Sequence, residues 1–264
     1  MVDIFDEPVT SNNKTNVMTE EFDLSDEVLE GIPKLVITIY GEKGHGKTAI
    51  AMAPALNGDK VAVISYDRKS MATKFNVYSN IDNIKVWDGV KYYSREARNI
   101  TQSAVVTYKY IMKLLETKFA GFNPDWIVHD GMERLHEICE MKMRYENDLG
   151  PVQGFANKNL WKERRYNLNE IHLRSMDAAN KGVIYTTYYD MLETRRDGEV
   201  VDRRKVPKWI DAIMQETDIV IEALQEDDKF YMKVASSKFD QIFKTGAVID
   251  VTDNLIEAFK GVKI

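Results

Sequence analysis

The sequence predicts an α/β fold: a mostly parallel sheet flanked by helices, with antiparallel strands toward the C-terminus. Three observations predict it. Over the first two-thirds of the chain, short apolar runs rich in β-branched residues alternate with helical patterns, as a parallel sheet with covering helices requires. The first such run, LVITIY, stops at a glycine loop, GEKGHGKT, which leads straight into small apolar residues. The last third is richer in strand-like runs separated by turn residues.

Each element can be justified in order. Residues 35–40 are apolar and β-branched and read as a buried strand, and residues 47 to about 56 as a helix of small apolar residues. VAVIS (61–65) is a second strand and residues 84–87 a short third. From Ser94 to about Phe119 the pattern is helical, with Val105, Tyr108, Met112, Leu115 and Phe119 on one face. Asn123-Pro124 breaks that helix before a strand at 126–129, and residues 132–145 read as the next helix. The Gly/Pro/Asn-rich stretch 147–159 is a loop, residues 160–179 are helical, and GVIYTTYY (182–189) is a strand. TRRDGEVVDRR reads as a hairpin turning at Asp197-Gly198, followed by a short helix at 210–217 and strands at 218–224 and 230–235.

Composition narrows the function classes. With 264 residues and 44% hydrophobic side chains, the chain supports one substantial core. No apolar run approaches a membrane span, and the acidic start MVDIFDEPVT lacks the apolar segment of a secretory signal. The single cysteine, Cys139, excludes an internal disulfide and fits a reducing cytosol. Four scattered histidines give no metal-ligand spacing. The net charge of −6 is an uneven average: residues 1–30 hold nine acids and one lysine, and the remainder carries 35 basic and 33 acidic residues. Residues 1–30 are expected to be a flexible acidic tail, either solvated or serving as a partner-docking or DNA-mimicking arm, and residues 31–264 one domain.

The loop matches G-x-x-x-x-G-K-[ST] without mismatch, with a strand before it and a helix after it. Gly41, Glu42, Lys43, Gly44, His45 and Gly46 would turn backbone N–H groups toward phosphate oxygens, with Ala49 in the first helical turn. Lys47 would reach the β- and γ-phosphates of ATP, and Thr48 would ligate Mg²⁺. A metal-orienting acid is then needed on a neighbouring strand. DWIVHD supplies Asp130, which could instead cap the following helix. No N-K-x-D guanine motif stands in the expected place, so ATP is preferred.

Together, these segments resemble the RecA-like P-loop ATPases, in particular the compact ones of phages and archaeal viruses or plasmids linked to recombination and single-strand annealing. The resemblance spans residues 33–252 and implies a RecA-like core. It implies that Asp67, after VAVISY, polarises the attacking water; Asp67 also fits a surface turn, and Glu133 is a rival base or a first-turn helix acid. It implies that Thr186 or Thr187 senses the γ-phosphate, and that Lys238, or secondly Lys233, reaches a neighbouring subunit's nucleotide in a ring or filament. Two positions depart from the pattern: the base is Asp where Glu is usual, and the sensor is Thr-Tyr where Gln or His is usual. In such proteins the loops corresponding to 146–160 and 190–208 face DNA. The second carries Arg195, Arg196, Arg203, Arg204 and Lys205, read as a basic ridge for single-stranded DNA phosphates. Phe155, Trp161, Tyr188, Tyr189 and Trp209 are candidates for stacking on bases. The alternatives are a nucleotide or small-molecule kinase, with the hairpin as an arginine lid, and an ATP-bound switch or motor accessory.

Overall fold

The computed structural model describes residues 33–154, 158–196, 199–208, 213 and 215–260. The acidic segment 1–30, the turn at 197–198, and Phe155 and Trp209 lie outside the described residues, as does half of the stretch 210–217.

In chain order the elements are β1 (Leu35–Gly41), α1 (Lys47–Met52) running into a 3-10 turn (Ala53–Asn57), β2 (Val61–Ser65), α2 (Ser70–Tyr78) and β3 (Ile84–Asp88). Then come α3 (Ile100–Glu116), the short α4 (Lys118–Gly121), β4 (Trp126–Asp130), α5 (Met132–Glu146), α6 (Lys158–Ala178) and β5 (Gly182–Thr187). The remainder comprises β6 (Tyr189–Arg196), β7 (Glu199–Pro207), β8 (Ile219–Glu226), β9 (Lys229–Ser237), β10 (Val248–Asp250) and a second 3-10 turn (Leu255–Phe259).

Eight strands form one sheet in the order β10-β9-β8-β1-β5-β4-β2-β3, and β6 and β7 form a separate two-stranded ribbon. The pairings among β8, β1, β5, β4, β2 and β3 are all parallel, and β9 turns back antiparallel on β8. β1, β2, β4 and β5 are buried along their whole length, which is why they read as unbroken apolar runs. Side chains alternate between two cores. Leu35, Ile37 and Ile39 face one with α1 and Phe259; Val36, Ile64 and Ile127 face the other with α3, α5 and α6.

Three elements differ from the sequence reading. α2 was not expected: Met71, Phe75 and Val77 are exposed, so it has no apolar stripe to reveal it. The long helix begins at Ile100, because residues 94–99 form turns held by Ser94 N donating to Ser103 Oγ at 2.9 Å. The short strand β10 pairs with β9 at the sheet edge, in a stretch to which the sequence reading assigns no element.

Gly182 marks the tightest approach in the sheet, since a Cβ there would lie 2.2 Å from the Leu35 carbonyl oxygen and 2.9 Å from the Trp126 ring. Gly182→Ala must therefore push β1 and β4 apart. We expect a loss of about 1–3 kcal/mol, read as a fall in Tm of roughly 2–4 °C per kcal/mol in thermal denaturation.

Candidate active site

The parallel register alone brings the sequence-selected residues together. Asp130, the last residue of β4, is paired with Thr186 on one side and Ser65 on the other, and Tyr40 of β1 is opposite Thr187. The C-terminal ends of β1, β5, β4 and β2 thus open into one cleft, with the glycine loop at its rim. A cavity of about 430 Å³ lies there, and its wall includes Lys47, Thr48, Asp67, Asp130, Glu133 and Thr187.

The loop itself folds through glycine conformations. Gly44 and Gly46 take φ of 92° and 80°, which favour residues without a side chain. A Cβ added at Gly44 would meet nothing within 4 Å, so the loop lies open there. His45 Nδ1 lies 3.3 Å from the Ala223 carbonyl oxygen and so ties the loop to β8, a packing role beyond presenting its backbone. Lys47 folds back, donating from Nζ to the carbonyl oxygens of Gly41 at 3.0 Å and Glu42 at 2.7 Å, and lies 4.6 Å from the centre of the Tyr188 ring. Burial pulls the Lys47 ammonium below its ordinary pKa, while the charges of Glu133, Asp130 and Asp67 pull the other way.

Asp130 is buried and accepts hydrogen bonds from three hydroxyls: Thr48 Oγ1 at 3.0 Å, Ser70 Oγ at 2.6 Å and Thr186 Oγ1 at 2.6 Å. It does not cap α5, whose N-cap position is Gly131 with no side-chain cap. Gly131 makes the turn at φ 104°, and its N–H donates to Thr186 Oγ1 at 3.0 Å. Burial pushes the Asp130 carboxyl above the usual carboxylate range; the bonds from Ser70 and Thr186 offset part of this.

The two candidate bases differ in their surroundings. Glu133 Oε1 accepts from Thr187 Oγ1 and from Tyr188 N–H, both at 2.7 Å, so it ties α5 to the start of the ribbon. Asp67 is exposed on the cleft wall. Its Oδ1 accepts from Lys69 N–H at 2.8 Å, as a turn acid would, and its Oδ2 makes no hydrogen bond among the described residues.

Other expected residues lie elsewhere. Lys238 follows β9, and because β9 runs antiparallel it emerges at the opposite end of the sheet from the glycine loop, paired with Asp218 at 3.1 Å. Lys233 pairs with Glu222 at 3.5 Å. On the ribbon, Arg203 and Lys205 share one face and the intervening Arg204 takes the other. Glu193 pairs with both Arg203, at 3.1 Å, and Arg195, at 2.8 Å. Lys205 reaches Glu42 at 2.7 Å and lies 4.7 Å from the centre of the Tyr189 ring, which joins the ribbon to the glycine loop. Arg196 is opposite Glu199 near the turn.

Some residues of the cavity and of the Asp130 environment were not anticipated. Ser70 escaped notice because α2 itself did. Phe230, Val251 and Leu255 form an apolar wall from the C-terminal third, with Val77 of α2; only long-range folding places them beside residue 46. Among the described residues, no group of three or more His, Cys, Asp or Glu side chains is arranged to hold a metal by itself. No helix among them is long and apolar enough to cross a membrane.

Asp130 gives a pH-dependent prediction. Its raised native pKa means that the folded state binds a proton more tightly than the unfolded chain. Its contribution to stability therefore falls as pH rises through the carboxylate range. We expect Asp130→Asn to be more stable than the wild type at neutral pH by about 0.5–2 kcal/mol. That advantage should shrink as pH falls toward the ordinary carboxylate pKa, measured by thermal melts across the range.

Compared with known proteins, the chain matches no protein-family model and no curated protein.

Proposed function

We propose that this chain is a magnesium-dependent ATPase of RecA type that binds single-stranded DNA during recombination, replication or repair in a phage, virus or plasmid system. The observation that carries this reading is the convergence of Lys47, Thr48, Asp67, Asp130 and Thr187 on one cavity from separate segments of the chain. A glycine-loop match can arise by chance; a match whose threonine hydroxyl also meets a buried strand-end acid at 3.0 Å is much more specific.

The residues fit ATP and Mg²⁺. Thr48 and Asp130 are the hard oxygen donors such an ion takes while phosphate oxygens and water complete its shell. Bound there, Mg²⁺ would neutralise charge developing between the β- and γ-phosphates. Lys47 would exchange the carbonyls of Gly41 and Glu42 for phosphate oxygens. Asp67 is taken as the base because it is exposed on the cleft wall, whereas Glu133 is half-buried and its Oε1 ties down Thr187 and Tyr188. Thr186 bonds Asp130 and Thr187 bonds Glu133, so β5 lies between the metal-binding group and the ribbon it leads into. Phe230, Val251 and Leu255 offer the apolar surface a base would cover.

The ribbon supplies the DNA contact. Arg204 is exposed and makes no ion pair among the described residues, whereas Arg203 is shared with Glu193. Self-association into a ring or filament would let Lys238 approach a neighbouring subunit's nucleotide, since it cannot reach its own. Docking of a replication or recombination protein is assigned to the acidic N-terminal segment.

A small-molecule kinase is the second reading, favoured by one observation: the Lys205–Glu42 pair holds the arginine ribbon to the glycine loop as a lid would be held.

ATP hydrolysis should be measured for wild type, Lys47→Ala, Asp67→Asn and Glu133→Gln, each with and without single-stranded DNA. We expect turnover stimulated by DNA, a loss of about 100-fold or more in Lys47→Ala and Asp67→Asn, and a smaller loss in Glu133→Gln. Turnover indifferent to DNA removes the DNA half of the proposal, and phosphoryl transfer to an added acceptor favours the kinase. Separately, Arg204→Ala should weaken oligothymidylate binding and lower the slope of log affinity against log salt by about 0.7, with a smaller change for Arg203→Ala.

A further inference from the structure

We propose that the chain holds a second ligand site, in which the cavity lined by Arg68, Arg95 and Arg134 receives the phosphate group of a small phosphorylated molecule. This cavity measures about 350 Å³, against about 430 Å³ for the first, and Asp67 is the one lining residue the two have in common. A molecule bound in the second cavity therefore lies on the other side of the residue assigned as base.

Three guanidinium groups reach this cavity from separate segments: the turn after β2, the segment after β3 and the first turn of α5. Two are partly satisfied within the protein. Arg68 Nε pairs with Asp88 at 3.0 Å, and its Nη2 donates to the Val90 carbonyl oxygen at 3.4 Å. Arg134 pairs with Glu137 through Nη1 and lies against the Tyr93 ring. Arg95 is exposed and makes no hydrogen bond or ion pair among the described residues. Each guanidinium carries five N–H donors, so most of them remain for ligand oxygens. Asp88 and Glu137 offset the charge of Arg68 and Arg134 in part, and phosphate oxygens, which accept from guanidinium forks in pairs, suit the N–H groups that remain.

The local backbone is arranged to present these groups. Arg68 has φ 64°, in the left-handed region that non-glycine residues seldom occupy. Asp67 Oδ1 accepting from Lys69 N–H at 2.8 Å and the Asp88 pair hold it there. Strain of this kind, maintained by surrounding contacts, is concentrated at functional sites. Gly89 lets the segment after β3 lie against β2: a Cβ there would be 2.7 Å from Ile64 Cγ2 and 2.8 Å from the Tyr66 ring.

The lining favours a small molecule over a nucleic-acid strand. Strand binding joins a basic groove to aromatic faces open for stacking. Here Tyr66 is buried with its hydroxyl 2.8 Å from His129 Nδ1. Tyr93 donates to Glu137 at 2.9 Å and has the Arg134 guanidinium 5.7 Å from its ring centre.

The inference stands on this cavity's own residues; only an effect of the ligand on ATP turnover would rest on the proposed function. Calorimetric titration with inorganic pyrophosphate in metal-free buffer tests it, performed on Lys47→Ala to weaken the glycine loop's contribution. We expect binding that falls at least fivefold in Lys47→Ala/Arg95→Ala and in Lys47→Ala/Arg68→Asn, the asparagine being tolerant of the left-handed backbone. ADP affinity measured in Arg95→Ala with Lys47 intact should stay within twofold of wild type. No pyrophosphate binding, or binding indifferent to both arginine substitutions, overturns the proposal. So does a result in which the arginine substitutions weaken oligothymidylate binding alone, which assigns these arginines to a strand. Failure of wild type to bind ADP would sink the ATPase reading and leave the pyrophosphate comparison intact.

Discussion

The carboxylate of Asp130 is the group on which the arrangement of the cleft depends. A buried carboxylate is costly unless its lone pairs are used, and here hydroxyls from three different elements, α1, α2 and β5, converge on it. None of the three is cationic, so the cost of burial is offset only in part and the carboxyl is held above its usual pKa range. Such an environment fits the metal-binding role proposed for Asp130. The same bonds fix the glycine loop, the start of α2 and the end of β5 with respect to one another.

Below this layer lies a second set of buried polar groups. His129 precedes Asp130 and places its two ring nitrogens 2.8 Å from Tyr66 Oη and 2.8 Å from Ser175 Oγ. Burial and the neighbouring His172 depress its pKa to about 3, so it stays neutral across the physiological range. Its ring is stacked with those of Tyr66 and Tyr185, and His172 Nδ1 lies 2.7 Å from Tyr185 Oη. These contacts run from β2 through β4 and β5 to α6, giving the strand ends beneath the cleft a satisfied polar support.

Above the cleft, the two-stranded ribbon is joined to the site by its root. Thr187 and Tyr188 are held by Glu133, Tyr188 lies against Lys47, and Lys205 is paired with Glu42. In the proposed ATPase, Lys47 cannot reach a phosphate while it occupies the carbonyls of Gly41 and Glu42. Nucleotide binding would therefore disturb contacts at the ribbon's root. Arg68, Arg95 and Arg134 lie on the other side of Asp67, which makes that single carboxylate the boundary between two cavities.

The central strands were legible because strands buried on both faces must be apolar throughout, and a run such as LVITIY has no other ready explanation. The glycine loop was legible because its residue types are demanded by local backbone geometry. α2 and β10 were not legible: one lacks an apolar stripe, and the other is a three-residue edge strand whose partner is distant in the chain. The placement of Lys238 depended on strand direction, which composition does not encode; an antiparallel return carries it away from the loop. The division of the ribbon's basic residues between two faces follows from strand alternation, which sets Arg204 apart from Arg203 and Lys205. By itself the sequence determined the local features: where buried strands lie, where the loop turns, and which acids end strands. The tertiary structure decided which of those ends meet, because parallel register is set by contacts between segments far apart in the chain. That register placed Asp130 between Ser65 and Thr186, and it was chain folding that brought Ser70, Phe230 and Val251 to the same cleft.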